Sequence, residues 1–174
     1  MVSAFDKMRG AFTGTATGAA ALFATAKLAG AFGKVETNIV RATAIMGGSK
    51  EEMGEVRDAL VKMSLKAGSL NLEKASEGFK MLSQNGLSAK DSLTALPSAA
   101  TLASVTGQEM GRTADFLADQ LGVYGLEAKD SAAVTDKLAL MMRKFGIMGD
   151  EVMPMMEATV IGARNSKSSL DDMI

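Results

Sequence analysis

The sequence predicts an all-α fold in which helical hairpins follow a Gly/Ala-rich N-terminal helix and repeat with a period of about 39 residues. Three observations support this fold class: the composition, apolar residues spaced three and four apart, and glycines at a constant spacing. Hydrophobic residues make up 47% of the 174 residues, but aromatic residues make up only 5% and tryptophan is absent. The core is therefore expected to consist of Ala, Leu, Val and Met, and Ala and Leu have high helix propensities. Only two prolines are available to break helices.

Charge and composition exclude several functional classes. The formal net charge is −1, and the chain has no cysteine and no histidine. Direct nucleic-acid binding is not expected, because neutralising phosphates requires a clustered excess of Lys and Arg. Disulfides, thiolate or histidine metal sites and histidine-dependent nucleophilic catalysis are excluded as well. Only chemistry based on carboxylates is left open. We therefore predict a structural and interaction module, not an enzyme, with no catalytic, cofactor-binding or metal-binding residue.

A short segment recurs at a constant offset. Residues 86–92 read GLSAKDS and residues 125–131 read GLEAKDS, so the two copies differ only where Ser88 is replaced by Glu127. The offset of 39 residues also separates Gly86 from Gly47. A second series of glycines, Gly68, Gly107 and Gly146, has the same spacing. A glycine after a helix supplies the left-handed conformation that ends it. The predicted helix terminators are Gly47, Gly68, Gly86, Gly107, Gly125 and Gly146.

The residues around these glycines have the spacing of helix N-terminal caps. In a capping box, a Ser or Thr and an acidic residue three positions later satisfy each other's free backbone N–H groups. The predicted pairs are Ser49 with Glu52, Ser88 with Asp91, and Thr106 with Glu109.

Apolar periodicity places helices between these signals. The predicted helices cover about 50–67, 72–84, 89–105, 108–121, 128–144 and 150–163. In the fifth of them, the buried stripe is expected to run from Val134 through Leu138 and Met141 to Phe145. Pro97 is expected to interrupt its helix and begin a new turn.

Residues 1–46 differ in composition from residues 47–174, so we predict two segments: a Gly/Ala-rich helix and a repeat module truncated at its C-terminus. Gly10, Gly14 and Gly18 stand four residues apart, which places them on one helix face and permits close helix packing. Three interpretations of this segment stay open. It forms a helix packed within an oligomer, a flexible segment, or a membrane-inserting helix.

Several runs of residues together resemble a known family. They are FKMLSQNGLSA at 79–89, ALP at 95–97, Ala114-Asp115 and Gly125-Leu126, with VET at 35–37 and SKEE at 49–52 upstream. From Lys34 to Ile174 the sequence resembles the core region of phage tail tape measure proteins. These shared motifs are small residues and helix caps, with no catalytic signature among them.

The resemblance implies a helical structural component of a phage tail that sits in the tail tube, governs tail length during assembly and is ejected to assist DNA delivery across the host envelope. It also implies self-association and contacts with tail tube, tail tip or tail assembly chaperone proteins, and the host membrane is a further candidate partner. The expected locations are the virion tail and, during assembly, the host cytoplasm. Two alternative functions stay open: a membrane-inserting segment that assists pore formation, and a cellular α-helical repeat adaptor.

The length of the chain limits its part in such a protein. Even one continuous helix of this chain would reach only about 260 Å, and a fold punctuated by glycines would be much shorter. We therefore expect the chain to be a helical module adjacent to the ruler, rather than the ruler itself.

Overall fold

The computed structural model describes residues 19–66 and 71–166, with side chains described for 32–65 and 71–159. Within these ranges the chain is helical and contains no strand, which confirms the predicted all-α class. The helices are α1 Ala19–Met46, α2 Lys50–Lys66, α3 Leu72–Gln84, α4 Ala89–Thr106, α5 Met110–Val123, α6 Ser131–Phe145 and α7 Gly149–Ser166, and a 3-10 turn at Ala128–Asp130 precedes α6. The predicted packing residues Gly10, Gly14 and Gly18 lie outside the described residues, as does Gly68.

The helices form two layers. Helices α1, α3, α5 and α7 lie side by side in one layer, and α2, α4 and α6 lie in the other. Within the first layer, Lys34 Nζ on α1 lies 3.0 Å from Glu73 Oε1 on α3, and Asn38 Nδ2 donates a hydrogen bond to Ser76 Oγ at 3.1 Å. Both contacts advance in the same direction along the two helices, so α1 and α3 run parallel. The chain therefore alternates between layers at each joint.

The core lies between the two layers and consists mainly of aliphatic side chains, with few aromatic ones. Helix α3 is central, because it packs against α1, α2, α4 and α5. Its apolar residues Ala75, Phe79 and Leu82 are fully buried, as their spacing predicts. Burying a side chain of the size of Leu or Phe stabilises a fold by roughly 1.5–3 kcal/mol. The other large apolar side chains that are almost completely buried are Val35, Ile39, Leu60, Val61, Leu96, Leu102, Leu117, Leu138 and Met153.

The predicted break at Pro97 was wrong, because Pro97 lies inside the continuous helix α4. A proline within a helix removes one backbone hydrogen bond and costs about 3 kcal/mol. Here the ring lies on the exposed side of α4, whereas Leu96 and Ala99 on either side of it are fully buried. Packing of the buried face therefore maintains the helix across the proline.

The predicted burial of Phe145 was also wrong. Val134, Leu138 and Met141 of the same stripe are buried, but Phe145 at the end of α6 is exposed. Thr106, the last residue of α4, is buried because the start of α7 lies against it. In the described part of the chain no helix stands in the corresponding place beyond α6.

Candidate functional site: helix joints and exposed faces

The joints between helices at one edge of the fold share a left-handed glycine. Gly47 ends α1, Gly86 follows α3 and Gly125 follows α5, with φ angles of 69°, 89° and 62°. A residue with a Cβ adopts such angles at a cost, which accounts for glycine at these positions. The three glycines are equally spaced along the sequence, so the chain reverses at equivalent points of successive helix pairs.

Each of these joints is followed by a capped helix start. Ser49 N donates to Glu52 Oε2 at 2.7 Å and Glu52 N donates to Ser49 Oγ at 3.2 Å, which is a reciprocal capping box. At the next joint Asp91 N donates to Ser88 Oγ at 3.1 Å, and the Ser88 hydroxyl donates to Asp91 Oδ2 at 2.6 Å. These four side chains lie where the sequence predicted caps.

The predicted pair Thr106 and Glu109 does not form a capping box. Thr106 is the last residue of α4, and its hydroxyl donates to Leu102 O at 2.7 Å. Glu109 is the residue that begins α5, but its side chain makes no capping hydrogen bond. Gly107, at φ 70°, turns the chain between the two, so Thr106 belongs to a helix end rather than a helix start.

Other helix starts carry caps that the sequence did not predict, because their first residue is neither Ser nor Thr. Glu127 N donates to Asp130 Oδ2 at 2.9 Å. Glu127 and Asp130 lie 39 residues after Ser88 and Asp91, so the repeat spacing is sufficient to predict this cap. Asn71 Oδ1 accepts a hydrogen bond from Lys74 N at 2.8 Å, and Met148 N donates to Glu151 Oε2 at 3.0 Å.

The joints at the opposite edge also contain left-handed glycines. Gly107 follows α4 and Gly146 follows α6, with φ angles of 70° and 66°. Beyond the second of them, Gly149 opens α7 so close to Thr106 that a Cβ on Gly149 would overlap the Thr106 backbone. Gly149 therefore permits the close packing of α7 on the end of α4.

Two concave regions lie beside α1. A cavity of about 370 Å³ between the first two capped joints is lined by both apolar and polar groups, including Met46, Leu87, Ser83 and Glu52. A groove of about 630 Å³ between α1 and α3 carries side chains of both signs: Lys34, Arg41, Lys80, Glu73 and Glu77. Glu52 is the only charged side chain of the described residues that lines the cavity, and it already caps α2, whereas charges of both signs line the groove. Among the described residues, no three acidic side chains are grouped as metal ligands.

Two ionisable side chains at the third joint have shifted pKa values. A hydrogen bond from Lys129 to Glu127 at 2.6 Å, together with their mutual attraction, raises the pKa of Lys129. Partial burial raises the pKa of Tyr124, and the neighbouring Thr159 side chain opposes that rise. Lys129 is fully exposed, so its ion pair contributes little to stability. These groups belong to the joint, and their arrangement has no features of a catalytic pair.

Several large apolar side chains of the described residues are exposed. They are Val40, Ile45, Leu65, Val105, Leu140, Phe145, Met148 and Met155. Four of them, Leu140, Phe145, Met148 and Met155, come from the last two helices and the turn between them. Residues 19–66 and 71–166 include no helix with the length and hydropathy needed to cross a bilayer.

Stacked helices with capped joints and exposed apolar faces define a structural helical module. Residues 57–174 match the family of phage-related minor tail proteins, which is more than half of the sequence. The chain belongs to this family. Its sequence is also 26% identical over 104 residues to the tape measure protein of Pneumococcus phage Dp-1, a match that covers 60% of this chain and 9% of that protein. No solved structure matches.

These comparisons confirm the predicted resemblance to phage tail tape measure proteins. The chain is a structural component of a phage tail, and its location is the tail of the virion. It spans about a tenth of the length of the curated relative that it matches.

Proposed function

We propose that this chain is a folded helical module of a tape measure protein, which sits in the tail tube, governs tail length during assembly and is ejected to assist DNA delivery across the host envelope. The observation that carries this proposal is the similarity over 104 residues to the tape measure protein of Pneumococcus phage Dp-1. Family membership favours this role over that of a cellular repeat adaptor.

Within such a protein, the chain serves as a compact module beside the ruler. A helix rises 1.5 Å per residue, so the 28 residues of α1 span about 42 Å, and the other helices are shorter. The chain then reverses at each joint, so an added helix pair extends the layers by about one helix spacing, roughly 10 Å, instead of by its full helical length. A ruler requires the opposite arrangement, in which each residue adds to the length.

The stacked module supplies surfaces for assembly rather than a reaction centre. We propose self-association and contacts with tail tube, tail tip or tail assembly chaperone proteins, formed in the host cytoplasm before the virion is complete. The exposed apolar side chains of the described residues support this role, because such side chains are common at interfaces. The net charge of −1 favours protein partners over nucleic acid. The host membrane is a further partner, reached after ejection through the N-terminal segment.

Deleting residues 88–126 from the complete gene in the phage tests this assignment. The deletion removes one helix pair and keeps the joint chemistry, because Leu87 is then followed by Glu127. We expect tails of unchanged length in electron micrographs, with fewer complete virions. As the matched control, an equally long deletion from an uninterrupted helical segment elsewhere in the same gene shortens the tail by roughly 60 Å. If the first deletion shortens tails by that amount, the segment is part of the ruler.

A further inference from the structure

The joint between α3 and α4 contains the only Asn-Gly step of the sequence, Asn85-Gly86. Asn85 follows the last turn of α3 with φ −83° and ψ 11°. Tyr124, which lies 39 residues later at the end of α5, has nearly the same angles, φ −90° and ψ 4°. The backbone of this joint therefore does not require asparagine, and the reason for Asn85 lies in its side chain.

The side chain of Asn85 joins α3 to α5. Its amide nitrogen donates to Asp115 Oδ1 on α5 at 2.9 Å. The same nitrogen donates to Met81 O, one helical turn earlier in α3, at 3.0 Å. A hydrogen bond to a carboxylate is stronger than one between neutral groups. The two bonds hold the amide against the preceding turn of α3 and against α5, rather than against the residue that follows it.

An asparagine that precedes a glycine is chemically reactive. The Gly86 nitrogen can attack Asn85 Cγ, because a glycine has no Cβ to obstruct the approach and its backbone rotates easily. A C–N bond forms between these two atoms, the Gly86 nitrogen loses its proton, and the side-chain nitrogen of Asn85 leaves as ammonia. Water then opens the cyclic succinimide at either carbonyl carbon and leaves aspartate or isoaspartate at position 85. The net reaction consumes water and releases ammonia, so it needs no other reactant.

The folded joint opposes this reaction at both reacting groups. The Gly86 nitrogen donates its hydrogen to Ser83 O at 3.1 Å, which holds it at the end of α3. The Asn85 amide is held by Met81 and Asp115. Ring closure requires the backbone and side chain of Asn85 to rotate, and these hydrogen bonds must break first. The reaction therefore requires a local opening in which the contact between α3 and α5 is lost.

We propose that Asn85 is a deamidation site that its contact with Asp115 protects. The product cannot restore that contact, because aspartate at position 85 places a second carboxylate beside Asp115 and has no hydrogen to donate to Met81 O. Isoaspartate also adds a methylene group to the backbone just before the left-handed Gly86. The modification thus marks chains in which α3 and α5 have separated, and it weakens their joint permanently. It does not depend on the role of the chain in tail length.

Mass spectrometry of proteolytic peptides, after incubation of the full chain in mildly alkaline buffer, measures the reaction. We expect Asn85 to deamidate at least about tenfold faster in the urea-unfolded chain than in the native chain. Asp115→Ala should raise the rate in the native chain about threefold or more, because it removes the hydrogen bond to the carboxylate. Asn38 and Asn71 are internal controls that should stay unmodified, because the bulky residues Ile and Leu follow them.

Asn71→Ala is the matched control variant, because Asn71 caps the other end of α3. It weakens the fold without removing the contact between Asn85 and Asp115, so the rate at Asn85 should stay close to that of the parent. Equal acceleration by Asn71→Ala and Asp115→Ala overturns the proposal, because global unfolding would then control the reaction. Equal rates in the native and unfolded chains, or no reaction in either, overturn it as well.

The effect of the product on the joint is tested with Asn85→Asp, which reproduces one of the two products. We expect its melting temperature, followed by circular dichroism, to fall by about 2–4 °C. Adding Asp115→Asn restores an amide opposite a carboxylate between α3 and α5, and it should recover part of the loss. An Asn85→Asp chain that melts like the parent, or a double variant with no recovery, overturns the proposed link between this contact and the modification.

Discussion

Individual glycines in this chain act for different physical reasons. Gly86 adopts φ 89° and requires the absence of a Cβ for its backbone conformation. At Gly149 the absence of a Cβ is required for space, because a Cβ there would overlap the Thr106 backbone. Gly54, inside α2, satisfies neither condition, because a Cβ there would have no atom of the described chain within 4 Å. The three positions should therefore respond differently to substitution.

Replacing Gly86 by Val is expected to destabilise the chain by about 1 kcal/mol or more, because a β-branched residue is strained at positive φ. Replacing Gly54 by Ala should stabilise it by about 0.5–1 kcal/mol, because alanine favours the helix and glycine does not. Thermal melting of both variants measures the two effects. Equal melting temperatures for Gly86→Val and the parent would contradict the assigned role of Gly86.

Gln120 is a polar residue with an unusual environment. It lies on α5 and is fully buried, yet neither of its amide atoms has a hydrogen-bond partner among the described residues. Because a buried unsatisfied polar group costs roughly 1–3 kcal/mol, Gln120→Leu is expected to raise the free energy of unfolding by about 1 kcal/mol. Urea denaturation measures this, with Gln84→Leu at an exposed position as the control. A destabilised Gln120→Leu would mean that an ordered water satisfies the amide.

At the scale of single helices, the residues that precede α3 and α5 differ in whether their side chains cap the helix. Asn71 accepts a backbone hydrogen bond at the start of α3, whereas Glu109 at the start of α5 does not. Asn71→Ala should therefore lower the free energy of unfolding by about 1 kcal/mol. Glu109→Ala should change it by less than about 0.5 kcal/mol. Urea denaturation compares the two, and equal losses would show that Glu109 caps α5 in solution.

The helices themselves were predictable because local signals agree there. Helix α3 was predicted at 72–84 and lies at Leu72–Gln84, between a capping Asn71 and the joint at Gly86. Helix α5 was predicted to begin two residues early, because Thr106 and Glu109 have the spacing of a capping box. Spacing alone cannot distinguish a threonine that ends one helix from a threonine that begins the next.

The contacts between helices that are distant in the chain were harder to predict from the sequence. The glycine spacing predicted hairpins of consecutive helices, but α1 packs extensively on α3, two helices further along the chain. That contact depends on distant residues such as Lys34 and Glu73, whose pairing no local pattern encodes. The exposure of Phe145 likewise depends on which helices follow it. Periodicity describes one helix at a time and cannot show whether its apolar stripe is covered.

On the scale of the whole molecule, consecutive helices alternate between two layers. The effect of a deletion on the fold therefore depends more on how many helices it removes than on how many residues it removes. A repeat architecture is stabilised by contacts within a repeat and between neighbours, so a complete repeat is removable. Left-handed glycines at 47, 86 and 125 and at 107 and 146 support a repeat of one helix from each layer. We therefore interpret two consecutive helices as the unit of the fold.

Deleting residues 88–126 from the isolated chain tests this interpretation. The deletion removes α4 and α5, and the helices that follow keep their layers, so α6 replaces α4 and α7 replaces α5. We expect cooperative thermal melting by circular dichroism at a lower temperature, because one interface between repeats is lost. Deleting residues 88–107 is the matched control. It removes α4 alone and transfers every later helix to the opposite layer, so cooperative melting should be lost. If both variants melt cooperatively, or neither does, then the helix pair is not the repeating unit.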